Sequence, residues 1–323
     1  MRGFFHRLAA AYGSAIILMF FSEYFFVNEE PVLGLLNNVK NTPFLTISSF
    51  ASFASFYVLF TYPFLLLLSY FKVRTISSLL LAGAIFGWST EGLFIPILYE
   101  SIPISFVFPS ISWHALIDVL LGWYLVRMVM RNFGMFGNAI SFVALGVVWA
   151  MWATWFWGGT DANDMSRILP DDFMLLAVVS SSFWLLGLLL ADWFTDMKFQ
   201  VSKWEVWIIG VIYILFFLYT AFPYLPYSAL IIPIIMLTIF SIYLGRNHKQ
   251  GVKILERLAK KKPDWRVYFL LPLTPIVATI IYPWFYTNNI SVPTEDVVAV
   301  LLFVGFVWFI FALIVPFISY IKR

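Results

Sequence analysis

The chain has 323 residues, of which 62% are hydrophobic, 20% aromatic and only 11% charged, with a formal net charge of +3 and no cysteine. That composition is too apolar for a soluble domain of ordinary make-up, and it almost fills with membrane crossings of roughly 20 residues each. The lack of cysteine excludes disulfides, thiolate catalysis and Cys-ligated metal.

Ten apolar segments are predicted to span the membrane, at about 8–27, 44–71, 76–97, 107–129, 136–158, 172–194, 204–222, 228–245, 267–286 and 297–320. The expected fold is therefore an all-α polytopic integral membrane protein, with 1–323 as a single transmembrane domain. Arg2 and Arg7 precede the first segment as they would in a signal peptide. The apolar run is longer than a signal core and has no small-x-small cleavage site, so it reads as a retained helix. The second segment carries Pro63, which predicts a kink or strong tilt. Aromatic residues gather near the proposed boundaries, as in Trp152-Ala-Thr-Trp155-Phe156-Trp157 and Tyr282-Pro-Trp284-Phe285-Tyr286, the depth that amphipathic rings favour.

Charge gives an independent check on the helix count. With loops taken alternately, all twenty Lys and Arg residues except Lys40 and Arg167 fall on the side of the two termini. The loops of the other side are acidic, with Glu29, Glu30, Glu100, Asp161, Asp164, Asp171, Asp172, Glu295 and Asp296. Basic residues near helix ends stay cytoplasmic, so both termini are expected there, with the chain in the plasma membrane of a prokaryote. The one sizeable loop, 245–266, is basic and predicted cytoplasmic. Its Val252, Leu255, Leu258 and Ala259 fit one face of a short interfacial helix, with Lys260, Lys261 and Lys262 near anionic lipid headgroups. Membrane lipids are the expected partners; nucleic acid is not, because the loop is short and tethered to a bilayer. Five helices followed by five of opposite orientation would suit an inverted-repeat transporter, but no internal repeat is visible.

Ionisable residues inside a membrane are costly and mark function. The predicted spans contain Glu23 near one end of the first, Glu91 in the third, and His114 and Asp118 in the fourth. Glu100 joins them from the short connection between the third and fourth. Asp192 and Glu205 sit at helix ends, where water is near. His114 and Asp118 are four apart and share a helix face. At about 1.5 Å per residue, His114 and Glu91 lie at similar depth on antiparallel neighbours. Pro96, Pro103 and Pro109 favour a broken path between those helices, tolerated where it is covered by protein or lines a cavity. Glu91, Glu100, His114 and Asp118 are thus the candidate catalytic residues, and Glu91, His114 and Asp118 a candidate divalent-metal set. The paired-glutamate motif with a following arginine, found in CAAX-processing intramembrane proteases, is absent; Glu91 is followed by Gly-Leu-Phe-Ile.

The expected function is a membrane-embedded enzyme acting on a lipid or lipid-linked substrate through this Glu/His/Asp cluster in the outer half of the bilayer. A proton-coupled secondary transporter is the alternative, and a non-catalytic subunit of a membrane complex a third reading. Against a carrier, the last five segments supply no buried charge beside Pro233, Pro272, Pro275 and Pro283.

Overall fold

The computed structural model describes residues 2–158, 167–194, 199, 202–246 and 251–321, and the described residues are helical with no strand. Ten helices are long and apolar enough to cross a membrane. They are α1 (Gly3–Phe25), α2 (Pro43–Tyr70), α3 (Ile76–Phe94), α4 (Ile104–Asn132), α5 (Met135–Trp152), α6 (Pro170–Phe194), α7 (Lys203–Tyr224), α8 (Tyr227–Gly245), α9 (Trp265–Asn288) and α10 (Thr294–Ile321). Each overlaps one expected segment, so the chain is an all-α polytopic membrane protein. Helices suit these segments because every backbone N–H and C=O is then bonded within the segment, which hydrocarbon demands. Local signals set their ends. The Thr75 hydroxyl accepts the Ser78 N–H at 3.1 Å and starts α3, and Ser202 does the same for α7. Asn289, with φ 54°, ends α9 in the left-handed conformation. Pro63 lies inside α2, which continues through it.

The centre of the bundle is α1, packed along α6 and flanked by α2 and α4. Gly13 permits this: a Cβ there would collide with the Ala191 backbone on α6, and small residues let membrane helices approach in this way. Gly87 does the same between α3 and α4, where a Cβ would meet the Ser110 carbonyl. Around this centre, α9 joins α5 and α6, while α10 leans on α3, α4 and α8. The peripheral helix is α7, only 6% buried along its most apolar stretch.

Contacts between connections sort them into two faces. On the face of the termini, Arg7 at the start of α1 pairs with Glu205 at the start of α7. There too, the Ile254 N–H donates to the Val73 carbonyl at 2.8 Å, and Ser69 bonds the Phe199 carbonyl. On the opposite face Lys40 pairs with Asp172 at 2.5 Å, Arg167 bonds Asn289, and the Val292 N–H donates to Thr154 at 2.8 Å. This is the alternation counted from the charges. Asp161, Asp164, Lys198, Lys249, Lys322 and Arg323 lie outside the described residues.

Two short helices complete the fold. The segment between α1 and α2 forms a helix over Glu29–Asn41 whose Val32, Leu35 and Leu36 are buried. The basic loop forms a helix over Ile254–Lys260, and part of the apolar face expected for it packs on the protein while Val252 stays exposed. Ile254, Leu255 and Leu258 are buried in the protein core, the Leu258 carbonyl accepts from Arg131 at 2.9 Å, and Arg257 donates to the Tyr124 hydroxyl at 2.7 Å. Lys260, Lys261 and Lys262 remain exposed.

Candidate functional site

Three wide-turn segments bring the buried acids together. Helix α1 passes into i→i+5 hydrogen bonding over Phe20–Phe25, α3 over Ser89–Phe94 and α4 over Ser110–Leu125. Such turns are rare and concentrate at functional sites. Each carries site residues: Glu23 on the first, Glu91 on the second, His114 and Asp118 on the third. The sequence supports the widening locally. On α3, Ser89 and Thr90 return their hydroxyls to the Ile85 and Phe86 carbonyls at 2.8 and 3.0 Å, immediately before Glu91. On α1 the carbonyls of Phe21, Tyr24 and Phe26 accept indole N–H groups from Trp113, Trp149, Trp152 and Trp155, at 2.8 to 3.3 Å. The N–H groups of Trp152 and Trp155 thus bind the protein backbone, a use that the aromatic-belt reading did not foresee.

The resulting geometry is a chain of three. His114 Nε2 lies 2.7 Å from Glu91 Oε1, and His114 Nδ1 lies 2.7 Å from Asp118 Oδ2. All three residues are buried, Asp118 completely, and the Phe86 ring meets the imidazole edge-on at 6.0 Å. Glu91 Oε2 and Asp118 Oδ1 are buried with no hydrogen-bond partner. Nearly all buried polar atoms in folded proteins are bonded, so these two oxygens are open to a further partner.

Glu23 belongs to this neighbourhood, although its place near a helix end suggested water. It is buried, accepts from the Tyr57 hydroxyl and from Asn28 Nδ2 at 2.7 Å, and lies within electrostatic range of His114, Glu91 and Asp118. Three carboxylates around one imidazole cannot all be ionised in a low-dielectric interior without a large penalty.

Glu100 is a different case. It is exposed in the α3–α4 connection, with no hydrogen bond to the cluster, and the expectation that it joins Glu91 is corrected. The chain after Phe94 turns outward through a 3-10 turn over Pro96–Tyr99 and carries Glu100 with it. Tyr99 fastens this turn, donating to the Gly92 carbonyl at 2.8 Å and stacking on Tyr224. Burial pushes its phenol up to about 12, so it remains a donor at ordinary pH.

The metal expectation does not fit the donor set. Glu91 and Asp118 approach opposite nitrogens of His114, so one ion cannot be shared among all three. Among the described residues no group of three or more His, Cys, Asp or Glu side chains is arranged around a common point. A second buried polar group was missed altogether. Asp192, expected near water, is buried on α6 and accepts from Arg127 Nε at 2.9 Å, Arg131 Nη2 at 2.5 Å and the Tyr268 hydroxyl at 2.8 Å. Arg127 and Arg131 are equally buried, where the charge pattern treated them only as topology markers. No known protein family, curated protein or solved structure matches this chain.

Proposed function

We propose that this protein is a membrane-embedded enzyme acting on a lipid or lipid-linked substrate, with Glu91 as its acid–base group. The observation that carries this reading is the Glu91–His114–Asp118 chain, closed at 2.7 Å on both sides while Glu91 keeps a free buried oxygen. Asp118 orients the imidazole and stabilises its cation. Glu91 Oε2 takes a proton from a hydroxyl or water as that oxygen attacks the substrate. His114 shares the charge, and the same proton returns to the leaving oxygen. The position of the buried acids supports a single site on a helical scaffold: among the described residues after 202 no Asp, Glu, His, Lys or Arg is buried.

A proton-coupled carrier is the second reading, favoured by one observation, that both His114 nitrogens are engaged by carboxylates. Lipid mass spectrometry on cells carrying Glu91→Gln, His114→Ala or Asp118→Asn separates the two. The enzyme reading expects one lipid species to accumulate in all three. Unchanged lipids together with lost proton flux in proteoliposomes would transfer the assignment to the carrier.

The same proposal sets both termini in the cytoplasm of a prokaryotic cell, supported by the basic face that the connections form. Exposed Lys260, Lys261 and Lys262, beside exposed Trp265 and Phe269, are suited to anionic headgroups there.

A further inference from the structure

A cleft of about 290 Å³ lies between the Glu29–Asn41 helix and the start of α2, lined among others by Tyr24, Glu30, Asn38, Thr46, Phe50 and Phe53. No Lys, Arg or His lines it, so it has nothing to neutralise an anion. It has instead the parts that recognise an amine. Glu30 supplies a carboxylate that forms no ion pair among the described residues, and the nearby Lys40 is engaged by Asp172. Thr46 is buried, with a hydroxyl oxygen that has no hydrogen-bond partner. Tyr24, Phe50 and Phe53 line it as well, Tyr24 and Phe50 lying almost parallel with centroids 6.4 Å apart and Phe50 stacked on Phe183. Aromatic faces attract alkylammonium groups.

One face of α2 runs from the cleft to the buried acids. Thr46, Phe50, Phe53 and Tyr57 follow one face of α2 at three- and four-residue spacing. Phe53 meets Tyr57 edge-on at 5.3 Å, and Tyr57 donates to Glu23. Tyr24 is the next residue after Glu23. On the other sides of the same α2 turn, Phe44 is 95% and Ile47 72% exposed, an apolar surface along which acyl chains can run.

We propose that this cleft binds the alkylammonium headgroup of a zwitterionic lipid, and so names the substrate class of the neighbouring site; it rests on the enzyme reading given above. The headgroup sits against Glu30 and Thr46, and the rest of the lipid lies toward the Glu23 end of the cluster.

The test is native mass spectrometry of the full chain in detergent, with short-chain phosphatidylethanolamine and phosphatidylglycerol of identical acyl chains. The ethanolamine lipid is retained about tenfold better, a ratio that a carboxylate and an aromatic wall supply. Gly34, which also lines the cleft, has nothing within 4 Å of where its Cβ would stand. Gly34→Phe, which meets no neighbour at its Cβ, puts a ring at the cleft and is expected to abolish the preference, and the isosteric Glu30→Gln to reduce it. Equal retention of the two lipids, or a preference that survives Gly34→Phe, overturns the proposal. Free ethanolamine that displaces the lipid at equal concentration overturns the lipid as occupant and leaves a soluble amine. No turnover is needed, so the cleft is judged separately from the Glu91→Gln lipid profile.

Discussion

Helix α4 carries two buried polar groups, and they are built on opposite plans. Toward the face of the termini, Arg127 and Arg131 meet Asp192. Both Asp192 oxygens accept hydrogen bonds, and Arg131 also reaches the Arg127 and Leu258 carbonyls at 2.8 and 2.9 Å. That group ties α4, α6, α9 and the Ile254–Lys260 helix to one another. Toward the opposite face, His114 is held as tightly, but Glu91 and Asp118 each keep an unbonded buried oxygen. An acid whose oxygens are all bonded holds helices together; one with an oxygen to spare can accept a proton. Under the proposed function, the difference separates a structural lock from a working site on a single helix.

Substitutions sharpen this comparison. The largest effect is expected from Asp192→Asn, which leaves two buried guanidinium groups short of their counter-charge. Breaking a buried pair in this way costs about 3–5 kcal/mol, so the variant should show a strongly lowered unfolding temperature or fail to accumulate. Next comes Gly13→Val, which forces α1 and α6 apart. Overpacking of this kind costs roughly 1–3 kcal/mol, read as a lower melting temperature in the same detergent. Tyr99→Phe removes one neutral hydrogen bond to Gly92, about 1 kcal/mol. Because burial raises that phenol to about 12, the wild-type bond is expected to persist as pH rises through the physiological range and to be lost only near that value. Glu100→Gln is the smallest: an exposed change within about 0.5 kcal/mol that leaves the lipid profile as it was. A Glu100 effect equal to that of Glu91 would restore it to the site.

Much of this was legible in the residues. The ten helices follow from apolar length, and the two faces follow from the positions of Lys and Arg, because both signals are summed over many residues. The meeting of Glu91, His114 and Asp118 also follows from spacing and depth. What failed depended on local geometry that spacing does not encode. Glu23 was placed near an end of its span by an α-helical count, whereas the Phe20–Phe25 segment is wound more widely and turns it inward under Tyr57. Asp192 was set aside as a helix-end residue, since nothing in sequence shows that Arg127, Arg131 and Tyr268, 61 to 76 positions away, close over that end. The Glu29–Asn41 helix was hidden by its length and polarity, yet Val32, Leu35 and Leu36 sit three and four apart, a helical pattern that a closer count of that segment would have found.

The central claim is that Glu91 works rather than holds. Its most direct test is Glu91→Gln, measured for melting temperature and cellular lipid composition beside Asp192→Asn. The account predicts a melting temperature unchanged or slightly raised, as is usual when a functional group is removed, together with an altered lipid profile. A melting temperature lowered as far as in Asp192→Asn, with lipids unchanged, would contradict it and make the cluster a second structural bridge.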